Sequence, residues 1–253
     1  MTKSSRSAAP LFLCCAALLA SQLVFAQADY AREQRWAEEI TPAIVVGDAV
    51  QLELKSGRKF LAIYATGGKP VAGVVVVHGL GVHPDWGLIG TLRTRLAEQG
   101  YATLAVQMPL LAADALGEHY PPLFPEAAER LAVAVAFLRG KGMKRLAIVS
   151  HSMGSRMTNY FLNHTPDPRV DAWVAIGLSQ VVNGPQPLKL PVLDLYGEMD
   201  NAAVLGNVEK RAAVFRALRG SGQVEVAGAD HFFAGKEDEL LRQVKRFLDN
   251  RLR

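Results

Sequence analysis

The run Leu146-Ala-Ile-Val-Ser150-His151-Ser152-Met153-Gly154 closes a short apolar stretch with a small-x-Ser-x-Gly turn and leads directly into a helix-like segment. A serine on such a strand-to-helix elbow projects its hydroxyl from the apex of the turn, where it can attack a carbonyl carbon. A serine hydroxyl is a poor nucleophile by itself. It needs a base to take its proton, a group to orient that base, and N–H donors aimed at the developing oxyanion. Ser150 is the competing nucleophile, but its place inside the strand, before the apex, argues against it. The N–H of Met153, immediately after Ser152, is the first oxyanion donor to expect.

The other parts must come from elsewhere in the chain. Six histidines are available: His78, His83, His119, His151, His164 and His231. His231 stands in Gly228-Ala-Asp-His-Phe-Phe233, just past the last strand-like run. His78 opens a glycine-rich turn, His151 lies within the elbow, and the remaining three fall in loops or at a helix end. Three carboxylates cluster in Leu193-Asp194-Leu-Tyr-Gly197-Glu198-Met-Asp200. Asp194 lies within an apolar strand, where a structural hydrogen-bonding role is expected, and Glu198 is free to face solvent.

The elements that must position these groups follow from the hydrophobic pattern. Val50–Lys55 and Lys59–Tyr64 alternate around a Ser-Gly-Arg turn and predict a half-exposed hairpin. Val71–Val77, Tyr101–Val106, Arg145–Val149, Val170–Ile176 and Pro191–Tyr196 are instead nearly continuous apolar runs. They alternate with helical segments over Trp86–Gly100, Pro125–Gly140, Ser152–His164 and Val204–Gly220. Strands buried on both faces and separated by helices predict a parallel sheet covered on both sides. Gln223–Ala227 adds a last strand. The C-terminal segment spaces Leu240, Leu241, Val244, Phe247 and Leu248 as one face of a helix, its charges on the other. The expectation is an α/β domain of about eight strands, mostly parallel with an antiparallel start.

Residues 1–26 stand apart. Lys3 and Arg6 precede an apolar stretch from Leu11 to Phe25, shorter than the roughly 20 residues a bilayer span needs. Val24-Phe-Ala26 and Ala26-Gln-Ala28 offer cleavage sites, so the segment reads as a secretory signal peptide, with a retained membrane anchor as the alternative. Residues 27–253 then form a single domain, periplasmic or secreted, with no stable membrane insertion after cleavage. Cys14 and Cys15 are the only cysteines, so the remaining chain holds no disulfide and depends on its core. The formal charge of +4 falls by the two basic residues of the leader, a balance too weak to point to nucleic acid. No metal-ligand spacing and no dinucleotide fingerprint is present, so neither metal nor cofactor is expected. Oligomeric state is not encoded in any pattern.

Four pieces in this order, His78-Gly79, the Ser152 elbow, Asp200 after a late strand and His231 after the last, resemble the α/β-hydrolase superfamily from about Val50 to Leu252. The resemblance implies an α/β-hydrolase fold without a large cap domain. It implies that Ser152, Asp200 and His231 form a catalytic triad, with Asp194 as the weaker candidate for the acid. It also implies that the second oxyanion N–H comes from His78-Gly-Leu-Gly81, with Leu80 the first choice and Gly79 the next. Ser150 stands where the superfamily usually has glycine, a departure expected to strain the turn. The stretch from His78 to Trp86 and the Asp194 run are also similar to secreted bacterial α/β-hydrolase-like proteins of uncharacterised function.

The reading that results is a serine hydrolase of esterase type, cleaving a small-molecule ester or thioester through an acyl-enzyme. Its activity is expected to fall with pH across the range in which histidine titrates. The alternative is a non-catalytic envelope binding or assembly factor on the same fold. The apolar loop Met108–Phe124, the loop Ser179–Leu190, and Phe232 with Phe233 are the candidates to line a pocket, though no residue is assigned to substrate binding.

Overall fold

The computed structural model describes residues 27–182, 184–185 and 187–253. The leader expectation therefore lies outside the described residues. Eight strands form one sheet: β1 (Asp48–Glu53), β2 (Lys59–Thr66), β3 (Gly73–Val77), β4 (Ala102–Val106), β5 (Leu146–His151), β6 (Ala172–Ile176), β7 (Val192–Met199) and β8 (Gly222–Asp230). Their spatial order is β1-β2-β4-β3-β5-β6-β7-β8. The β1–β2 and β2–β4 pairs are antiparallel and all later pairs parallel.

The helices are α1 (Tyr30–Ile40), α2 (Gly87–Glu98), α3 (Phe124–Gly140), α4 (Met153–His164), α5 (Ala202–Leu205), α6 (Val208–Arg216) and α7 (Glu237–Leu252). Alternation along each strand divides the core into two layers. Val75 and Val77 point to the face covered by α3, α4 and α6, where they join Leu131, Met157, Phe161 and Phe215. Val74 and Val76 point to the face covered by α2 and α7, with Leu92, Leu96, Val244 and Leu248. Neither face of a central strand meets water, which is why those strands read as unbroken apolar runs.

The segment expected as one helix over Val204–Gly220 is two. Asn201 caps α5 by accepting from the Val204 N–H, and the helix stops at Gly206. Asn207 then spends its side-chain amide on the carbonyls of Ser179 and Ala203. A Gly-Asn pair is a turn signal, and it prevails over the apolar spacing on either side.

The parallel pairing sets the register that matters. Val77 is opposite Ser150, and His151 is opposite Ile176. The loops after β3, β5, β6 and β7 therefore leave the same edge of the sheet, its carboxyl edge, beside one another. That is where open α/β sheets assemble their sites.

Candidate active site

Ser152 occupies the turn between β5 and α4 with φ 55° and ψ −119°, one of three non-glycine residues with positive φ among those described. The strained apex is held from below. The Ser152 N–H donates to the Ile176 carbonyl at 2.8 Å, and the Ser152 carbonyl accepts from Ser155 and Arg156 in the first turn of α4. The tight crossing also needs Gly154, where a Cβ would stand 2.3 Å from the His78 carbonyl oxygen.

Ser150 does not strain the turn as expected. It lies within fully paired β5, so the positive φ falls on Ser152. Its buried hydroxyl accepts from the Trp173 indole at 2.8 Å and lies 3.1 Å from the Ser155 hydroxyl. A serine in place of glycine here pins β5, β6 and α4 together.

The three residues picked out by motif order meet at the carboxyl edge. His231 Nε2 lies 2.9 Å from Ser152 Oγ, and His231 Nδ1 lies 2.6 Å from Asp200 Oδ1. With the ring proton on Nδ1 donated to the carboxylate, Nε2 presents a lone pair to the serine hydroxyl. Asp200 is shielded from solvent at its side chain, while that of His231 is 18 % exposed. The Asp200 carboxylate also accepts from the Asn201 N–H at 2.8 Å, which fixes its orientation.

Asp194 belongs elsewhere. It is buried in an ion pair with Arg211, at 2.9 Å, and accepts from Gln223 at 2.7 Å. Burial raises its pKa while the Arg211 charge opposes that rise. Glu198 is exposed and accepts from the Gly228 N–H. Of the three carboxylates on and after β7, Asp200 alone reaches His231.

Two further residues frame His231, and neither stood out in the sequence. Gly177, the first residue after β6, has φ 58°, and a Cβ there would stand 2.9 Å from His231 Cε1. Its one available signal is a glycine immediately after an apolar strand. His151, buried, donates from Nε2 to the His231 carbonyl at 2.8 Å. Burial, aided by the neighbouring His231, pushes the His151 pKa down to about 4, so its ring stays neutral across the physiological range. Nothing local in sequence marks a contact between residues 80 positions apart.

The side of Ser152 expected to hold an oxyanion is lined by backbone. Met153 is the first residue of α4, and N–H groups of a first turn have no acceptor within the helix. The loop His78–Gly81 lies directly against the elbow: a Cβ on Gly79 would stand 3.2 Å from Ser152 Cβ. Leu80, next along, is 40 % exposed. His78 anchors this loop. Its Nδ1 donates to the Gly79 carbonyl and its Nε2 accepts from the Met108 N–H, each at 2.8 Å. Burial drives its pKa down to about 3. From the outside, Arg32 on α1 donates to the carbonyls of Gly81 and Leu111, both at 3.1 Å.

Two pocket expectations need correction. Phe233 is fully buried between the sheet and the α2–α7 layer and does not line the site; only Phe232 is exposed, edge-on to Trp86. The loop over 108–124 turns its apolar residues downward. Leu110, Leu111, Tyr120 and Leu123 are buried; Leu116 is the one large aliphatic side chain left exposed, beside the smaller Ala112, Ala113, Pro121 and Pro122. A cleft of about 330 Å³ does open nearby Leu162, Pro168 and Leu188, but at the opposite edge of the sheet, where β6 and β7 begin. It contains none of the groups above.

Solved structures share this architecture. A serine hydrolase without a lid from Xanthomonas campestris is 14 % identical, covers 82 % of this chain and 95 % of its own, and superposes with a TM-score of 0.62. A dienelactone hydrolase from Anabaena variabilis is 18 % identical with 81 % and 97 % covered and a TM-score of 0.64. An esterase from Pyrococcus furiosus is 14 % identical with 81 % and 91 % covered and a TM-score of 0.66. The chain has the α/β-hydrolase fold. A family described as proteins of unknown function, DUF3530, matches residues 8–128 of this α/β-hydrolase-fold protein, the part that carries α1 and the His78–Gly81 loop and stops before Ser152. No curated protein matches the chain.

Proposed function

We propose that this chain is a serine hydrolase acting on a carboxylic ester or thioester. Ser152 Oγ attacks the acyl carbon while His231 Nε2 takes its proton. The tetrahedral oxyanion is held by the N–H groups of Met153 and Leu80. His231 then delivers the proton to the departing alcohol or thiol, leaving an acyl-Ser152. A water molecule, deprotonated by the same histidine, releases the acid. Asp200 holds His231 in the tautomer that keeps Nε2 free and stabilises the imidazolium formed during each transfer.

The observation that carries this reading is the 2.9 Å approach of His231 Nε2 to a serine held at φ 55° on an elbow. A serine bonded to histidine by chance has no reason to bear that backbone strain, which costs of order 1–3 kcal/mol. Esterases and serine hydrolases among proteins of the same fold support the choice of reaction.

A fluorophosphonate probe applied to purified protein tests it. Labelling of the wild type, lost in Ser152→Ala and His231→Ala, is the expected result, followed by hydrolysis of short p-nitrophenyl esters. A folded wild type that stays unlabelled overturns the proposal. We also propose that the chain is exported, on the strength of residues 1–26. N-terminal sequencing of protein from the envelope or medium should begin after Ala26 or Ala28. Full-length protein confined to the cytosol would refute export.

A further inference from the structure

Arg156 has no charge partner. It lies in the first turns of α4, half-buried, and uses its guanidinium on neutral acceptors: Nε donates to Gln180 Oε1 at 3.1 Å and Nη1 to the Gly117 carbonyl at 3.3 Å. It forms no ion pair with any described carboxylate, and the undescribed residues, 1–26, Asn183 and Gln186, include no acid. Glu118 is next to Gly117, but its side chain is 75 % exposed and lies 3.9 Å from the His119 imidazole. Burial alone lowers the Arg156 pKa, with no opposing acid. A guanidinium carries five N–H donors, and two are used here.

Its position gives this charge a purpose. Residues three apart share a helix face, so Arg156 stands on the same side of α4 as Met153. Helical side chains lean toward the N-terminus, here the end where Ser152 sits. The rise over three residues is only about 4.5 Å. Of the two loops that Arg156 bridges, one touches the side chain of Met153, next to Ser152, and the other abuts His231. A Cβ on Gly117 would lie 3.3 Å from the Met153 methyl, and Gly177, three residues before Gln180, abuts His231. The cation therefore sits at the rim of the acyl-transfer site, between its two bordering loops.

We propose that Arg156 binds a carboxylate on the substrate, so that the preferred ester carries an anionic group a few bonds from the scissile carbonyl. This rests on the serine-hydrolase reading. Two neutral bonds set the guanidinium plane, and the remaining N–H groups offer a carboxylate the planar fork it matches. A lysine would keep the charge and lose the fork.

The test compares mono-p-nitrophenyl glutarate with p-nitrophenyl valerate, equal in acyl length and differing in the terminal carboxylate. Turnover and the mass of acyl-Ser152 are followed in wild type, Arg156→Gln and Arg156→Lys. Wild type should favour the glutarate in kcat/KM by about tenfold or more, the contribution of one charge-assisted hydrogen bond. Arg156→Gln should bring the ratio to one or below, and Arg156→Lys should retain part of it. A wild type that prefers the valerate, or Arg156→Gln slowing both esters equally, would show that the arginine only ties loops together and would overturn the proposal. So would fluorophosphonate labelling of Ser152 with acylation by neither ester. If the probe fails to label Ser152 in folded protein, the hydrolase reading itself has failed, which is a separate result.

Discussion

Ser152 is gripped differently on its two sides. Toward the base, directional side-chain bonds do the holding: Asp200 to His231 at 2.6 Å, His231 to Ser152 at 2.9 Å, and the neutral His151 ring to the His231 carbonyl at 2.8 Å. There is no slack, since even a methyl group on Gly177 would collide with the imidazole. On the other side, the proposed oxyanion donors are backbone N–H groups, one at the start of α4 and one in a loop pressed against the elbow and carried from outside. Arg32 holds the Gly81 carbonyl, its guanidinium lies 4.4 Å over the Trp36 ring, and Trp36 meets His83 edge-on. One side depends on a few groups whose protons move. The other depends on the docking of α1, a helix that adds no strand to the sheet. Substitutions on the first side should therefore be nearly all-or-none, and those on the second graded.

The largest effect belongs to the shared residue. Ser152→Ala should lower kcat by about a millionfold, to the level of binding and oxyanion stabilisation alone, with the thermal transition little changed. A residual rate within a hundredfold of wild type would mean that the nucleophile lies elsewhere.

Next is the acid, where two aspartates near one another in sequence separate activity from stability. Asp200→Asn should cost about ten-thousandfold in kcat, because an amide no longer enforces the His231 tautomer. Asp194→Asn should leave buried Arg211 without its counter-charge and destabilise the fold by about 3–5 kcal/mol. The activity per folded molecule should persist. Chemical denaturation and kinetics on both variants read the two quantities independently. If Asp194→Asn loses activity in proportion to Asp200→Asn, the two carboxylates are not separated as their partners indicate.

Gly177→Ala probes the tightness of the base side. The added methyl would stand 2.9 Å from His231 Cε1, on a backbone at φ 58° that alanine resists. Displacing the imidazole by a fraction of an ångström to an ångström should cost about a hundredfold in kcat, with KM little affected. An unchanged kcat would mean that the His231 side yields as readily as the loop side.

These two sides were not equally legible in the sequence. The sheet could be read because central strands such as Val71–Val77 have no polar face, and Ser152 and Asp200 stood out because each follows such a strand, whereas His231 follows the half-exposed edge strand β8. The error at Phe233 has a local cause. Phe232 and Phe233 are adjacent, and with Phe233 at φ 56° the chain turns one ring outward and the other into the core. No propensity or pattern foretells which. Arg32, His151 and Arg156 escaped for a different reason. Their partners are carbonyls and an amide between 24 and 80 residues away, and a backbone carbonyl leaves no signature in residue type.

The smallest effect, and the sharpest test of the contrast, is at Arg32. Truncation to alanine removes two hydrogen bonds to carbonyls and the stacking on Trp36, but leaves His78 anchoring the near end of the loop through Gly79 and Met108. The Leu80 N–H should then sample positions off its optimum without being lost. Complete loss of an oxyanion donor costs about a hundredfold to a thousandfold. Partial misplacement should cost about tenfold, falling on kcat, while fluorophosphonate labelling of Ser152 still occurs at a reduced rate. Arg32→Lys keeps the charge but cannot span both carbonyls with one planar fork, so it should recover only part of the loss. If Arg32→Ala were as damaging as Gly177→Ala, the oxyanion loop would have no independent anchor in His78, and the two sides of Ser152 would be equally rigid. A wild-type rate in Arg32→Ala would show instead that α1 is docked for stability alone.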